Sequence, residues 1–235
     1  MKIRASISSK INALVVCSLL VLGISSVVIS SYSLINRGNE EAAGYRTAIM
    51  AEKRAMLTNL VGAVYNIAEQ NYKESQGSSD VALKAKTLAA INSFRYGKDG
   101  TDYFYTMDTG SRSMLQHPKE SLVGKPDTFF KDPDGKQQIV AQMDIALKQG
   151  AGFDEYKWAK LGEKEPQPKL TYVKHFKEWN MAFATGIYTD DVDKAIAIKK
   201  EEISAAIFSQ IYWQGGVVIG LILLAMALAY PIVSI

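Results

Sequence analysis

The 235 residues include one cysteine, two histidines and six prolines. The lone cysteine, Cys17, excludes a disulfide within the chain, so any exported part must be held by packing alone. His117 and His175 fit no metal-ligand spacing. No Gly-x-Ser-x-Gly or comparable nucleophile-and-base pattern occurs. An enzyme is therefore not expected, nor a metal, nor a cofactor. Charge is the most unevenly missing property. Residues 11–35 carry none, and neither do residues 211–235. All 24 acidic residues lie between these stretches. Of the 27 basic residues, four precede Gly38 and none follows Gln210. The nearly balanced middle gives no sign of nucleic-acid binding.

What fills the uncharged stretches is apolar, and each is long enough to cross a bilayer, which takes about 20 residues of helix. The first exceeds the length of a signal-peptide core, so an uncleaved anchor is expected. Lys2, Arg4 and Lys10, with no acid nearby, assign the N-terminus to the cytoplasm. Tyr212 and Trp213 stand where a second span meets its outer interface. The expected organisation is a cytoplasmic N-terminus (1–10), a first span (11–35), an extracytoplasmic ligand-binding domain with its membrane-proximal helices (36–210), and a second span with the start of a junction (211–235). The location that follows is the cell inner membrane.

The middle reads as helices, then strands, then a helix. Residues 39–72 form a long helix, with Ile49, Met56 or Leu57, Leu60, Val61, Val64, Ala68 and Tyr72 at three- and four-residue steps. That stripe serves its own core, a second copy of the chain, or both on different faces. Residues 76–79 are a polar turn, and Ser79 or Asp80 caps a second helix. Strands are expected over 102–108, 113–117, 152–158, 169–176 and 181–188. Between the second and third strands, Asp132 caps and Pro133 opens a helix whose buried face is Ile139, Val140, Met143, Ala146 and Leu147. This helix start explains Asp132-Pro133-Asp134-Gly135 better than a calcium loop does, because the motif's distal acids are absent. Asp190, Asp191 and Asp193 suit the N-terminus of a last helix that runs into the second span. The class is α+β, with one mainly antiparallel five-stranded sheet.

At this level of detail the sequence resembles the single-Cache family (type 2) of extracytoplasmic sensor domains. The resemblance rests on Arg95-Tyr96-Gly97, Asp102-Tyr103-Phe104-Tyr105-Thr106-Met107-Asp108, Met114-Leu115-Gln116-His117-Pro118 and Lys131-Asp132-Pro133-Asp134-Gly135. It continues through Tyr156-Lys157-Trp158, Pro168-Lys169-Leu170-Thr171-Tyr172-Val173-Lys174 and Gly186-Ile187-Tyr188-Thr189-Asp190-Asp191. It implies a PAS-like sheet on a long N-terminal helix, flanked by two transmembrane helices, in a homodimeric methyl-accepting chemotaxis receptor. The implied ligands are small carboxylates such as acetate, propionate, pyruvate or lactate. The closing Ala229-Tyr230-Pro231-Ile232-Val233-Ser234-Ile235 resembles a span-to-HAMP junction. Sensor kinases and diguanylate cyclases carry the same module and are the first alternative. A membrane-anchored partner-binding protein without a small ligand is the second.

A small carboxylate needs a few converging donors in an apolar pocket. Arg95 offers a planar fork for both oxygens, or is only a helix-end charge. Tyr103, Tyr105 and Met107 share one strand face, as pocket wall or as core. His117 is either a pH-sensitive donor or a structural histidine. Tyr156 and Trp158 share a face of the third strand, with Trp158 as an apolar wall. Lys169 is a possible second cation and Tyr172 a hydroxyl donor. These two fall on opposite faces of a regular strand.

Overall fold

The computed structural model describes residues 7–75, 81–97 and 100–233, with the side chains of 7–9, 11, 12 and 228–233 left undescribed. The element order is α1 (Ile7–Glu74), α2 (Val81–Ser93), β1 (Arg95–Tyr96), β2 (Asp102–Asp108), β3 (Ser113–Gln116), α3 (Gln138–Gln149), β4 (Ala151–Ala159), β5 (Pro166–Phe176), β6 (Met181–Tyr188) and α4 (Asp190–Val233). Two compact units result: Ala48–Asp193, and residues 1–47 with 194–235, the described part of which is helical.

In the first unit the sheet order is β1-β2-β6-β5-β4, with β3 also paired to β2 on the edge away from β6, and every pairing is antiparallel. All eight residues of β6 are buried, because both faces of the sheet are covered. One face carries Phe104, Phe176, Met181 and Phe183 against Val61, Val64 and Ala68 of α1 and Leu88 and Ile91 of α2. The other carries Tyr103, Tyr105, Met107, Val173, Ala182 and Ala184 against Ile139, Met143 and Ala146 of α3. Ala182, Ala184 and Gly186 alternate along β6, so this face is shallow there and leaves depth for long side chains from β2 and β5. Gly186 is needed in full. A Cβ on it would lie 2.2 Å from Thr171 Oγ1, 2.6 Å from the Leu170 carbonyl oxygen and 3.1 Å from Lys169 Cε.

The α+β class and the antiparallel sheet agree with expectation, with the two-residue β1 added. Two local expectations are corrected. Asp132 does not cap a helix, since α3 begins only at Gln138. Its carboxylate instead accepts from the Asp134 and Lys136 amides, both at 2.9 Å, and from the Lys157 amide at 3.3 Å. Gly135, at φ +84°, completes the turn. The turn covers the free edge of β4, where Lys136 Nζ also donates to the Glu155 carbonyl oxygen at 2.6 Å. The buried face of α3 also differs from the expected stripe. Gln138 and Gln142 are enclosed, while Leu147 is 45% exposed and Val140 only half-buried. The turn expected at 76–79 and its cap lie outside the described residues.

In the helical unit, Gly38 meets Ile203 and Ile207, and Gly23 meets Val218, at distances that leave no room for a Cβ. Lys199 pairs with Glu41 at 3.2 Å. By length and composition, two helices can cross a membrane, Ala13–Glu74 and Asp190–Ala227.

Candidate ligand-binding site

The α3 face of the sheet encloses a hollow lined by Tyr103, Tyr105, Met114, His117, Phe130, Gln138, Ile139, Tyr156 and Trp158. Its volume is about 10 Å³, room for about one water molecule. An outer cleft of about 750 Å³ lies beside it, bounded by residues that include Lys119, Lys131, Asp132, Lys157, Lys160 and Glu163. His117 and Trp158 line both spaces.

Strand alternation puts Lys169 on this face, and the missing side chain at Gly186 lets it run inward. Lys169 is 1% exposed. Its Nζ has no hydrogen-bond partner among the described residues. It sits 4.1 Å from the ring centroid of Tyr103, one wall of the hollow, and 4.7 Å from that of Tyr188. Burial pushes its pKa down to about 7, and Asp102 opposes that only in part. The group has been taken from water and given two ring faces in return, with no carboxylate in contact.

His117 is also buried. Its Nδ1 accepts the Lys119 amide at 2.9 Å, which leaves Nε2 to carry the proton of the neutral ring. Burial, then the Lys169 charge, lowers its pKa to about 3. His117 is therefore a neutral donor throughout the physiological range. Its lowered pKa does not support the pH-sensitive role expected of it.

The tyrosine hydroxyls belong to a buried chain. Tyr105 donates to Gln142 Oε1 at 2.7 Å, and Gln142 Nε2 donates to Asp154 Oδ2 at 3.2 Å. Lys136 Nζ closes the chain on Asp154 Oδ1. The Tyr156 hydroxyl is 3.2 Å from Thr171 Oγ1 and 3.4 Å from the Tyr105 hydroxyl. Burial raises the pKa of Tyr103, Tyr105 and Tyr156, so all three stay protonated.

Of the residues singled out in the sequence, Tyr103, Tyr105, His117, Tyr156 and Trp158 converge on the hollow, with Lys169 against its wall. Three lie elsewhere. Met107 is fully buried in the core beside α3. Tyr172 is on the opposite face, its ring 4.7 Å from that of Phe153. Arg95 is exposed, its Nη1 donating to the carbonyls of Asn92 and Phe94 at the end of α2. Sequence reasoning missed Gln138, Gln142, Asp154 and Tyr188. The available signal was two glutamines four apart, each beside an apolar residue of the buried stripe of α3.

Among the described residues no group of acids, histidines and cysteines could hold a metal ion. The site gathers one unpartnered cation, neutral donors and an apolar wall, and shows no nucleophile-and-base pair among the described residues.

Comparison with known proteins gives the family. The chain is 28% identical over 184 residues to the sensor histidine kinase MctS of Rhizobium johnstonii, covering 78% of the chain and 39% of that protein. A solved periplasmic sensor domain of a chemotaxis protein superposes with a TM-score of 0.55 at 28% identity, over 60% of this chain and 98% of that one. A solved Cache chemosensory domain, described for its carboxylic acid recognition, superposes with the same TM-score at 27% identity, over 61% and 98%. The chain spans less than half the length of the curated relatives it matches. Two candidate spans thus flank a sensor domain of the periplasmic type, itself non-catalytic. The model of the Cache domain matches residues 24–216, and the chain belongs to that family.

Proposed function

We propose that this chain is the sensing part of an inner-membrane receptor that binds a short-chain carboxylate in the hollow beside Lys169, with the ligand on the periplasmic side. The observation that carries this reading is the Lys169 ammonium, fully enclosed and without a hydrogen-bond partner. A buried charge of this kind costs several kcal/mol unless an anion meets it. The neutral His117 Nε2–H adds a donor, and Trp158 and Phe130 supply apolar walls for a methyl group. The hollow must widen to admit even acetate, and His117 and Trp158, shared with the outer cleft, are the wall that moves. Support also comes from the Cache relative solved for carboxylic acid recognition.

The route out runs through two adjacent contacts. Tyr188, whose ring faces Lys169, lies two residues before α4. Lys160, at the rim of the outer cleft, pairs with Asp190, the first residue of α4, at 2.9 Å. Ligand that draws the cleft closed moves the start of α4, and α4 continues unbroken to Val233. The shift can be no larger than the ligand's difference in affinity for the two states, commonly about 1–3 kcal/mol. In a homodimer this displacement is passed to an output module of the chemotaxis or histidine-kinase type; the chemotaxis assignment is preferred.

A thermal-shift screen of acetate, propionate, pyruvate and lactate on the full chain tests the reading. At a hundredfold excess over Kd, ligand adds about 2.7 kcal/mol of stability. That rise should vanish in Lys169→Met. Failure of every short carboxylate to raise the midpoint would favour the partner-binding alternative.

A further inference from the structure

The buried chain beyond Tyr105 has a fixed direction. Asp154, 6% exposed and paired with Lys136, offers oxygens only. Gln142 must therefore turn its NH2 toward Asp154 and its carbonyl oxygen toward Tyr105. The Tyr105 O–H then has to point at Gln142, away from the hollow it lines. With the Tyr156 O–H given to Thr171 Oγ1, the nearer of its two partners, the Tyr105 oxygen keeps acceptor capacity for the hollow that Tyr105 lines. Gln138 adds a second acceptor to the same hollow. It is 1% exposed, and its Oε1 has no hydrogen-bond partner among the described residues. Two inward acceptors stand where a site built only for a carboxylate would place donors.

We infer that Asp154 is a positioning residue that never meets the ligand yet sets the polarity of this hollow. Acting through Gln142 and Tyr105, it makes the site select a 2-hydroxy carboxylate, which donates at its second carbon, over the 2-oxo carboxylate of the same size, which only accepts. The inference rests on the carboxylate reading and adds to it the second functional group of the ligand. It also makes a reversal possible. With Asp154→Asn, Lys136 still donates to Oδ1, so the new amide NH2 faces Gln142. Gln142 flips, its own NH2 meets the Tyr105 oxygen, and the Tyr105 O–H is released inward as a donor.

The test is calorimetry on the full chain in lipid nanodiscs with 2-hydroxypropanoate, 2-oxopropanoate and propanoate. The wild type should hold the hydroxy acid about tenfold more tightly than the oxo acid, the worth of one well-placed hydrogen bond. In Asp154→Asn that ratio should fall to about one or invert, while propanoate, with no group at the second carbon, changes by less than about threefold. Gln142→Leu frees the same hydroxyl by another route and carries the test if Asp154→Asn does not fold. A merely structural role would weaken all three ligands together. A folded variant that keeps the wild-type ratio, or a wild type indifferent to the hydroxyl, overturns the inference and leaves the carboxylate reading standing. If no carboxylate binds the wild type, the carboxylate reading itself falls and this inference with it.

Discussion

The two faces of one sheet are built for different purposes. Against α1 and α2 the strands present Phe104, Phe176, Met181 and Phe183, packed with aliphatic side chains and edge-on rings. Against α3 the same strands present tyrosines, a lysine, a threonine and small residues, and α3 answers with two buried glutamines. Burial is equally complete on both. The first face keeps two neutral oxygens without partners among the described residues, Thr106 Oγ1 and Gln116 Oε1. The second keeps a lysine nitrogen and a glutamine oxygen without partners. A buried ammonium costs more than a neutral oxygen unless something binds it, and under the proposed function this makes the α3 face the sensing side and the α1 face the one that holds the domain together.

Substitutions can break this contrast in order of size. Phe183→Ala, on the α1 face, should cost about 3–5 kcal/mol by leaving a cavity, roughly 10 °C in the melting midpoint. Lys169→Met should act in the opposite sense on the ligand-free protein, raising its midpoint, while weakening carboxylate binding by about a hundredfold or more. The pH dependence follows from the same group. Its folded pKa is lowered to about 7, so between that pH and its unfolded value the unfolded chain binds more protons, and stability rises with pH across that window. Denaturant titrations at pH 7 and 9 should show this gain in the wild type and lack it in Lys169→Met.

Asp190→Asn removes the charge at the start of α4 and loosens its link to Lys160. The expected loss is about 1.5–3 kcal/mol of local coupling. Ligand affinity should hold while the signalling response of a fused output domain weakens, as read by kinase activity. Arg95→Ala should do least. It deletes two hydrogen bonds at an exposed helix end, worth about 1 kcal/mol together, and should leave carboxylate affinity within about twofold. A collapse of binding there would return Arg95 to the site.

Much of this contrast is legible in the sequence. Period-two alternation in Tyr103-Phe104-Tyr105-Thr106-Met107 separates the two faces, and the break from period 3.6 to period 2 marks where helices end. The uncharged runs mark the two candidate spans. Arg95 attracted attention because guanidinium geometry suits a carboxylate, but its own helix end is nearer and competes for it. Lys169 looked ambiguous because a lysine on a strand usually reaches solvent, and only its diagonal neighbour on β6, Gly186, leaves the room for it to run inward. Asp132 has the composition of a helix cap, and its real partners are backbone amides that include Lys157, on a strand 25 residues further on. Gln142 and Asp154 could not be joined from spacing, since their contact depends on how α3 turns back onto β4.

The central claim is that the buried Lys169 ammonium is the anchor for an anion. Calorimetric titration of the best-binding carboxylate at pH 8, in buffers of different ionisation enthalpy, tests it most directly. Because Lys169 titrates near pH 7, binding there should take up close to one proton, and Lys169→Met should abolish that uptake along with the affinity. Heats that do not depend on the buffer, or a Lys169→Met protein that binds as the wild type does, would contradict the account.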